Sequence, residues 1–412
     1  MTHRVVVTGM AGISPLGSDW ETVEAKLRSQ TNATQRMEEW AQIAHLNSVV
    51  YAPAAEFELP KALYNRKTTR SMSRVSLMAC RCAEVALRDA DLYDQDWIHE
   101  GEMGVSYGSC AGSSDALIEI ADLNHSRSTT SLNATTYVRF MSHTAPVNIS
   151  VFHRITGRVI TTSSACTSSS QGIGYAYEAI KYGQQRAMIA GGAEESNPAH
   201  TAIFDTLFAT STGYNQRTSE TPRPFDATRD GLVLGEGAGA LILESLESAQ
   251  ARGAHIYAEV VGFATNCDGK HITNPDSDRM AEVMRMALRD AGLTPKDIGY
   301  INAHGTATLQ GDRAETKAVE QVFGSQTPIA SLKGYMGHTL GACGVLEAWM
   351  SIQMMNTGWF APNINLTQPD PECGKVNFIM GDGLEKSCEY IMSNNFAFGG
   401  INTSLIFKRW SE

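Results

Sequence analysis

Two stretches decide the fold when set side by side: VITTSSACTSSSQGIGYA (159–176) and IASLKGYMGHTLGACGVLEA (329–348). Each opens on a short apolar run of strand character. Each then passes through a loop of small residues and continues as a helix rich in Ala and Gly. A second pair, GVSYGSCAGSSD (104–115) and GYINAHGTATLQGD (299–312), repeats the order strand, turn, polar segment. The four together predict a duplicated α/β unit whose halves meet near residue 250, one spanning 1–250 and the other 251–412. Small residues let a helix approach a sheet closely, so both Ala/Gly-rich helices are expected between two layers.

The remaining pattern agrees. Arg4–Thr8 is a β-branched run closed by Gly9, Ala187–Ala190 is closed by Gly191 and Gly192, and Ala258–Phe263 opens the second series. Helical spacing is read near Trp20–Ser29 and over Arg74–Leu92, Gly172–Tyr182, Arg279–Ala291, Thr316–Phe323 and Val345–Met355. Strands are read at Met103–Tyr107, Val159–Thr162, Gly235–Leu243, Ile298–Asn302, Val376–Met380 and Tyr390–Asn394.

Composition removes several function classes. Of 412 residues 42% are hydrophobic and 19% charged, ample for a large core, and 36 Gly against 13 Pro fits many tight strand–helix turns. A formal charge of −11 disfavours a dedicated nucleic-acid binder. Eight cysteines are too sparse for a disulfide scaffold, and no second pair completes a zinc site with Cys80 and Cys82, so no metal is expected. The cysteines read as reduced thiols of a cytosolic protein. The first residues enter a strand with no secretory segment, and no run of 18 apolar residues suggests a membrane span. Neither G-x-x-x-x-G-K-[ST] nor G-x-G-x-x-G occurs, and Gly235–Gly239 leads into a strand, the wrong order for a dinucleotide fingerprint.

Cys166 lies between a strand and a helix, so its thiol is expected at a helix N-terminus, where the macrodipole favours thiolate. Read in isolation, a cysteine is usually buried and inert, and it is the strand–loop–helix context that sets the reactive reading beside that one. His304 follows a strand end and His338 precedes a helix. Lys333 and Glu347 flank His338, and read alone they are ordinary solvated charges. Arg66, Lys67, Arg70 and Arg74 put four cations within nine residues with no acid between them, the composition of a cationic helix face.

SSACTSS (163–169), NAHGTAT (302–308), SLKGYMGHTLGACGVLE (331–347) and NNFAFGGINTSLIF (394–407) together resemble the β-ketoacyl-acyl carrier protein synthases, the elongating condensing enzymes of the thiolase superfamily. RVVVTGMAGISPLG (4–17) and RPFDATRDGLVLGEGAGALILE (223–244) resemble the same family, so the similarity runs from about residue 4 to 408. It implies a five-layered αβαβα sandwich of two duplicated halves. It further implies that Cys166 takes an acyl chain from an acyl carrier protein, and that malonyl-carrier protein loses CO2 and attacks that thioester. His304 and His338 would donate hydrogen bonds to the enolate from Nε2, and the backbone N–H groups of Cys166 and Phe398 would form the oxyanion hole. Lys333 would hold the histidine region, with Glu347 pairing it or ordering the loop.

The resemblance also assigns Thr306 and Thr308, with His271 and Thr273, to the phosphopantetheine arm. It places Cys110 and Ala111 at the end of the acyl pocket, and Arg66, Lys67, Arg70 and Arg74 on the face that docks the acidic carrier. Ala111 stands where long-chain enzymes of the family carry isoleucine, which implies tolerance of long, rigid or polyunsaturated chains. No cofactor is implied beyond the carrier's phosphopantetheine. A dimer is, either of identical subunits or with a chain-length-factor-like partner. SACTSSS in place of a TACA stretch, Ala397 in place of glycine, and YVRFMSH (137–143) depart from the fatty-acid pattern and suit an aryl-polyene or type II polyketide-like pathway. Two competing functions are a CoA-dependent thiolase-like acyltransferase and a non-catalytic chain-length partner. The lack of a second cysteine at FAFGG argues against the first, and Cys166 argues against the second.

Overall fold

The computed structural model describes residues 2–411. Eleven strands form its main sheet: Val5–Ile13 (β1), Met103–Gly108 (β2), Val159–Thr161 (β3), Ala187–Glu194 (β4), Gly237–Ser245 (β5), Ala258–Cys267 (β6), Ile298–Asn302 (β7), Pro328–Ala330 (β8), Asn377–Phe378 (β9), Tyr390–Phe396 (β10) and Ile401–Arg409 (β11). Their spatial order is β9-β8-β7-β10-β11-β6-β1-β5-β4-β2-β3. With the two-residue edge strand β9 set aside, each half has five strands and, read outward from the centre, runs first, fifth, fourth, second, third. The pairing matches as well: the second strand is parallel to the third and fourth, and the fifth is antiparallel to the first and fourth. The halves join where β1 pairs antiparallel with β6, Val5 opposite Val260 and Val7 opposite Ala258.

Six helices matter for the site: Arg74–Asp89 (α1), Ser168–Lys181 (α2), Pro198–Thr206 (α3), Ser277–Ala291 (α4), Leu309–Phe323 (α5) and Cys343–Thr357 (α6). α1 covers the outer face of the first half and α4 with α5 that of the second, each over its own apolar cluster. α2 and α6 lie between the halves and touch strands of both. Two glycines of α2 make this position possible. A Cβ at Gly172 would lie 2.8 Å from the Gly191 carbonyl oxygen of β4, and one at Gly174 would lie 2.2 Å from the Phe263 ring of β6. The chain is thus a five-layered αβαβα sandwich of two duplicated halves.

Several boundaries move for physical reasons. α2 and α6 begin earlier than apolar spacing indicates, because serines and a cysteine occupy their buried first turns. α5 begins at Leu309 rather than Thr316, since its first turns carry buried Asp312 and Glu315 and so show no apolar stripe. Arg66, Lys67 and Arg70 do not form a helix face. They sit in exposed turns ahead of α1, where the Asn65 side chain accepts the Lys67 N–H at 3.0 Å and competes with helix formation. Among the described residues no helix is long and apolar enough to cross a membrane.

Candidate active site

β3 delivers the chain to a short 3-10 turn, Ala165–Thr167, that leads into α2 and carries Cys166. Ala165 takes a left-handed backbone (φ +52°), an uncommon conformation for a residue with a Cβ. Side chains bracket it: Ser168 Oγ donates to the Ala165 carbonyl at 2.7 Å and accepts the Ser164 N–H at 3.0 Å. Thr167 Oγ1 donates to the Ser164 carbonyl at 2.8 Å.

The opposite wall comes from the second half. His338 Nδ1 accepts the Leu340 N–H at 3.2 Å, which leaves Nε2 as the protonated nitrogen of the neutral ring. Nε2 stands 3.0 Å from Cys166 Sγ. His304 follows β7, and its Nδ1 faces two donors, Lys333 Nζ at 3.1 Å and Asn395 Nδ2 at 3.4 Å. Its Nε2 is therefore protonated too. The two rings are perpendicular with centroids 5.1 Å apart. Lys333, 1% exposed, forms an ion pair with Glu347, 0% exposed, whose other oxygen accepts from Asn395 Nδ2 at 2.7 Å.

Burial holds both histidines well below their ordinary pKa, and the Lys333 charge adds to the effect, so both are neutral. Burial also opposes the Lys333 ammonium, but the Glu347 carboxylate outweighs it and keeps the lysine charged. The helix N-terminus does not make Cys166 a resting thiolate. Burial pushes its thiol up to about 11, against Lys333 and against the backbone N–H groups of Phe398 and Cys166 that face the sulfur. The resting pair is a neutral thiol beside a neutral imidazole. The Cys166, His304 and His338 donor atoms lie within 4.8 Å of one another, as metal ligands can. Two inward N–H groups and the nearby ammonium suit an anion there instead.

A cleft of about 340 Å³ descends from the surface to Cys166, His304, His338 and Phe398. Thr306 and Thr308 line it, their hydroxyls 2.9 Å apart. His271 and Thr273 line its exposed side, where His271 Nδ1 accepts the Thr273 N–H at 3.1 Å. Gly399 (φ +92°) and Gly400 (φ +75°) turn the chain so that the Phe398 N–H reaches the sulfur, and the Phe398 ring lies 5.5 Å from that of Phe204.

Comparison with known proteins fits this geometry. The family model described as Beta-ketoacyl synthase, N-terminal domain, matches residues 2–249, and the one described as Beta-ketoacyl synthase, C-terminal domain, matches residues 257–367. The chain belongs to the β-ketoacyl synthase family. It is 34% identical to 3-oxoacyl-[acyl-carrier-protein] synthase 1 of Escherichia coli K12, over 99% of this chain and 100% of that protein. It is 34% identical to 3-oxoacyl-[acyl-carrier-protein] synthase 2 of Staphylococcus aureus N315, over 99% and 98%. A crystal structure of a β-ketoacyl synthase from Burkholderia phymatum STM815 superposes with a TM-score of 0.97 at 51% identity, over 99% of this chain and 100% of that one. A type II polyketide ketosynthase solved in complex with its acyl-carrier protein superposes at 0.89 with 28% identity, over the whole of both chains.

The synthase does not bring every expected residue to the cleft. Cys110 and Ala111 follow β2 and lie off the cleft lining; the Cys110 N–H bonds to the buried Glu194 carboxylate at 2.9 Å. Arg74 is half-exposed and clasps buried Glu236 through two bonds of 2.6 and 2.7 Å, while Arg66, Lys67 and Arg70 lie exposed in the turns before it. Conversely, sequence reading passed over three residues. Asn395 links His304 to Glu347, and the motif NNFAFGG contains it without revealing that it is buried. Glu315 accepts the His304 and Gly305 N–H groups at 2.8 and 2.7 Å. Arg229, fully buried, joins Asp312 at 3.2 Å and Asp370 at 2.9 Å, and Asp312 accepts the Ala307 N–H at 3.1 Å. Acids spaced along a polar helix start look like solvated surface, so only their burial shows these roles.

Proposed function

We propose that this synthase joins an acyl chain held on Cys166 to the two-carbon unit of malonyl-carrier protein by decarboxylative Claisen condensation. The observation that carries the reading is the convergence of Cys166 Sγ with two imidazole N–H groups at the foot of one cleft. In the first step Cys166 sulfur attacks the acyl-carrier thioester. The carrier's phosphopantetheine thiol leaves with the Cys166 proton, and the backbone N–H groups of Cys166 and Phe398 hold the tetrahedral oxyanion. In the second step the malonyl carboxylate leaves as CO2 and its electron pair forms an enolate. His304 and His338, kept neutral by burial, donate Nε2–H to the enolate oxygen. The enolate carbon then displaces Cys166 thiolate, which regains a proton from solvent. Decarboxylation drives the step, and no cofactor is needed beyond the carrier's phosphopantetheine.

The first half, residues 1–250, supplies the nucleophile, and the second, residues 251–412, supplies both histidines, Lys333 and Glu347. Thr306 and Thr308 would receive the phosphopantetheine arm, with His271 and Thr273 on its exposed side. Arg66, Lys67, Arg70 and Arg74 would steer an acidic carrier. Chain length would be read at Cys110 and Ala111 with a second subunit in place, identical or chain-length-factor-like. The setting would be the cytoplasm, and the pathway fatty-acid, aryl-polyene or type II polyketide-like. The test is condensation of acyl- and malonyl-carrier thioesters. Wild type releases CO2 and forms the β-keto product, and His338→Ala lowers that rate by about 10²–10³. Equal rates in the two would refute the reading.

A further inference from the structure

The thiol of Cys343 plays no part in the reaction above, yet it is buried beside the nucleophile in a small cluster with Cys166 and Ala397. It lies in the first turn of α6, and three consecutive residues there meet the start of α2. Cys343 Sγ lies 3.1 Å from the Cys166 carbonyl oxygen. A Cβ at Gly344 would lie 2.9 Å from the Ser170 nitrogen, and the Val345 N–H donates to Ser169 Oγ at 3.1 Å. One helical turn on, Glu347 holds Lys333. Asn395 Nδ2 faces both acceptors of that helix face, Glu347 Oε2 at 2.7 Å and Cys343 Sγ at 3.6 Å.

We infer that Cys343 is a positioning residue, whose S–H donates to the Cys166 carbonyl and ties the nucleophile's turn to the Lys333–Glu347–Asn395 network that sets His304. The turn needs such a tie. Ala165 keeps a left-handed backbone, and a strained residue persists only where its surroundings fix it. The Ser and Thr hydroxyls of SACTSSS fix that turn within its own half. Among the side-chain bonds of the described residues, the Cys343 thiol is what reaches the Cys166 carbonyl from the other half. Burial raises the Cys343 thiol well above its ordinary pKa, so it stays protonated and able to donate.

The test compares Cys343→Ala and Cys343→Ser with wild type, after thermal melting confirms that all three fold. The readouts are single-turnover acylation of Cys166 by an acyl-carrier thioester, the KM for that thioester, and Cys166 alkylation by iodoacetamide followed by peptide mass. Loss of one neutral hydrogen bond slows acylation in the alanine variant by about fivefold to tenfold at unchanged KM, and alkylation falls in parallel. Serine keeps an O–H donor and restores both rates to within about twofold. Alanine at wild-type rates would overturn the inference, as would serine failing as alanine does while melting like wild type. The inference rests on the proposed acylation of Cys166, and the arms separate the two. If no carrier thioester acylates wild type, the proposed function fails while alkylation still decides the role of Cys343.

Discussion

In the first half a left-handed Ala165 (φ +52°) leads a short 3-10 turn into α2. In the second half a left-handed Leu340 (φ +47°) leads an equal turn, Leu340–Ala342, into α6. The turns differ at their middle residue. In the first it is Cys166, and in the second it is Gly341, where a Cβ would stand 3.0 Å from the Cys110 nitrogen and from Glu194 Oε2. They differ also in what precedes them. Residues 162–164 connect β3 to the first turn, whereas residues 331–339 connect β8 to the second and carry Lys333 and His338. One backbone device thus serves two ends. The first copy presents a sulfur, and the second closes on the first half while its longer connection brings the charges and the ring.

That contrast can be broken in order of size. Lys333→Ala leaves Glu347 buried without its partner, so a loss of about 3–5 kcal/mol is expected in denaturant unfolding, with condensation lost alongside. An unchanged midpoint would mean that the pair does not hold the second connection. Gly341→Ala forces a methyl group against Cys110 and Glu194 and should cost about 1–3 kcal/mol. Ala165→Gly relieves a left-handed residue and should cost nothing or stabilise slightly. Equal effects at the two positions would erase the difference between the turns. The state of the sulfur that only the first turn presents is tested by pH. A thiol whose pKa is pushed up to about 11 gains thiolate as pH rises, so Cys166 alkylation should climb about tenfold per unit from pH 7 to 10. A plateau below pH 8 would mean that helix N-terminus and N–H groups outweigh burial.

The legible parts of the site were those marked by small residues and histidines. SSACTSS, NAHGTAT and GHTLG stand out because a reactive side chain in a Gly- or Ser-rich loop breaks the apolar pattern on both sides. The duplication was legible for a related reason, since strand–turn–helix order survives where residue identity does not. What stayed hidden is polar and buried. Asn395, Glu315 and Cys343 act through hydrogen bonds that depend on neighbours far away in sequence. The pairing of Arg74 was hidden because Glu236, its partner, lies 162 residues away in sequence. The state of Cys166 depends on the burial imposed by two halves closing together, which no local motif states.

The most direct measurement is intact-protein mass after incubation with a panel of acyl-carrier proteins, comparing wild type with Cys166→Ala. A mass gain of one acyl group in wild type, absent from the mutant, is the predicted result. A gain that persists in Cys166→Ala, or none in well-folded wild type with any donor, would contradict the assignment of Cys166 as the nucleophile.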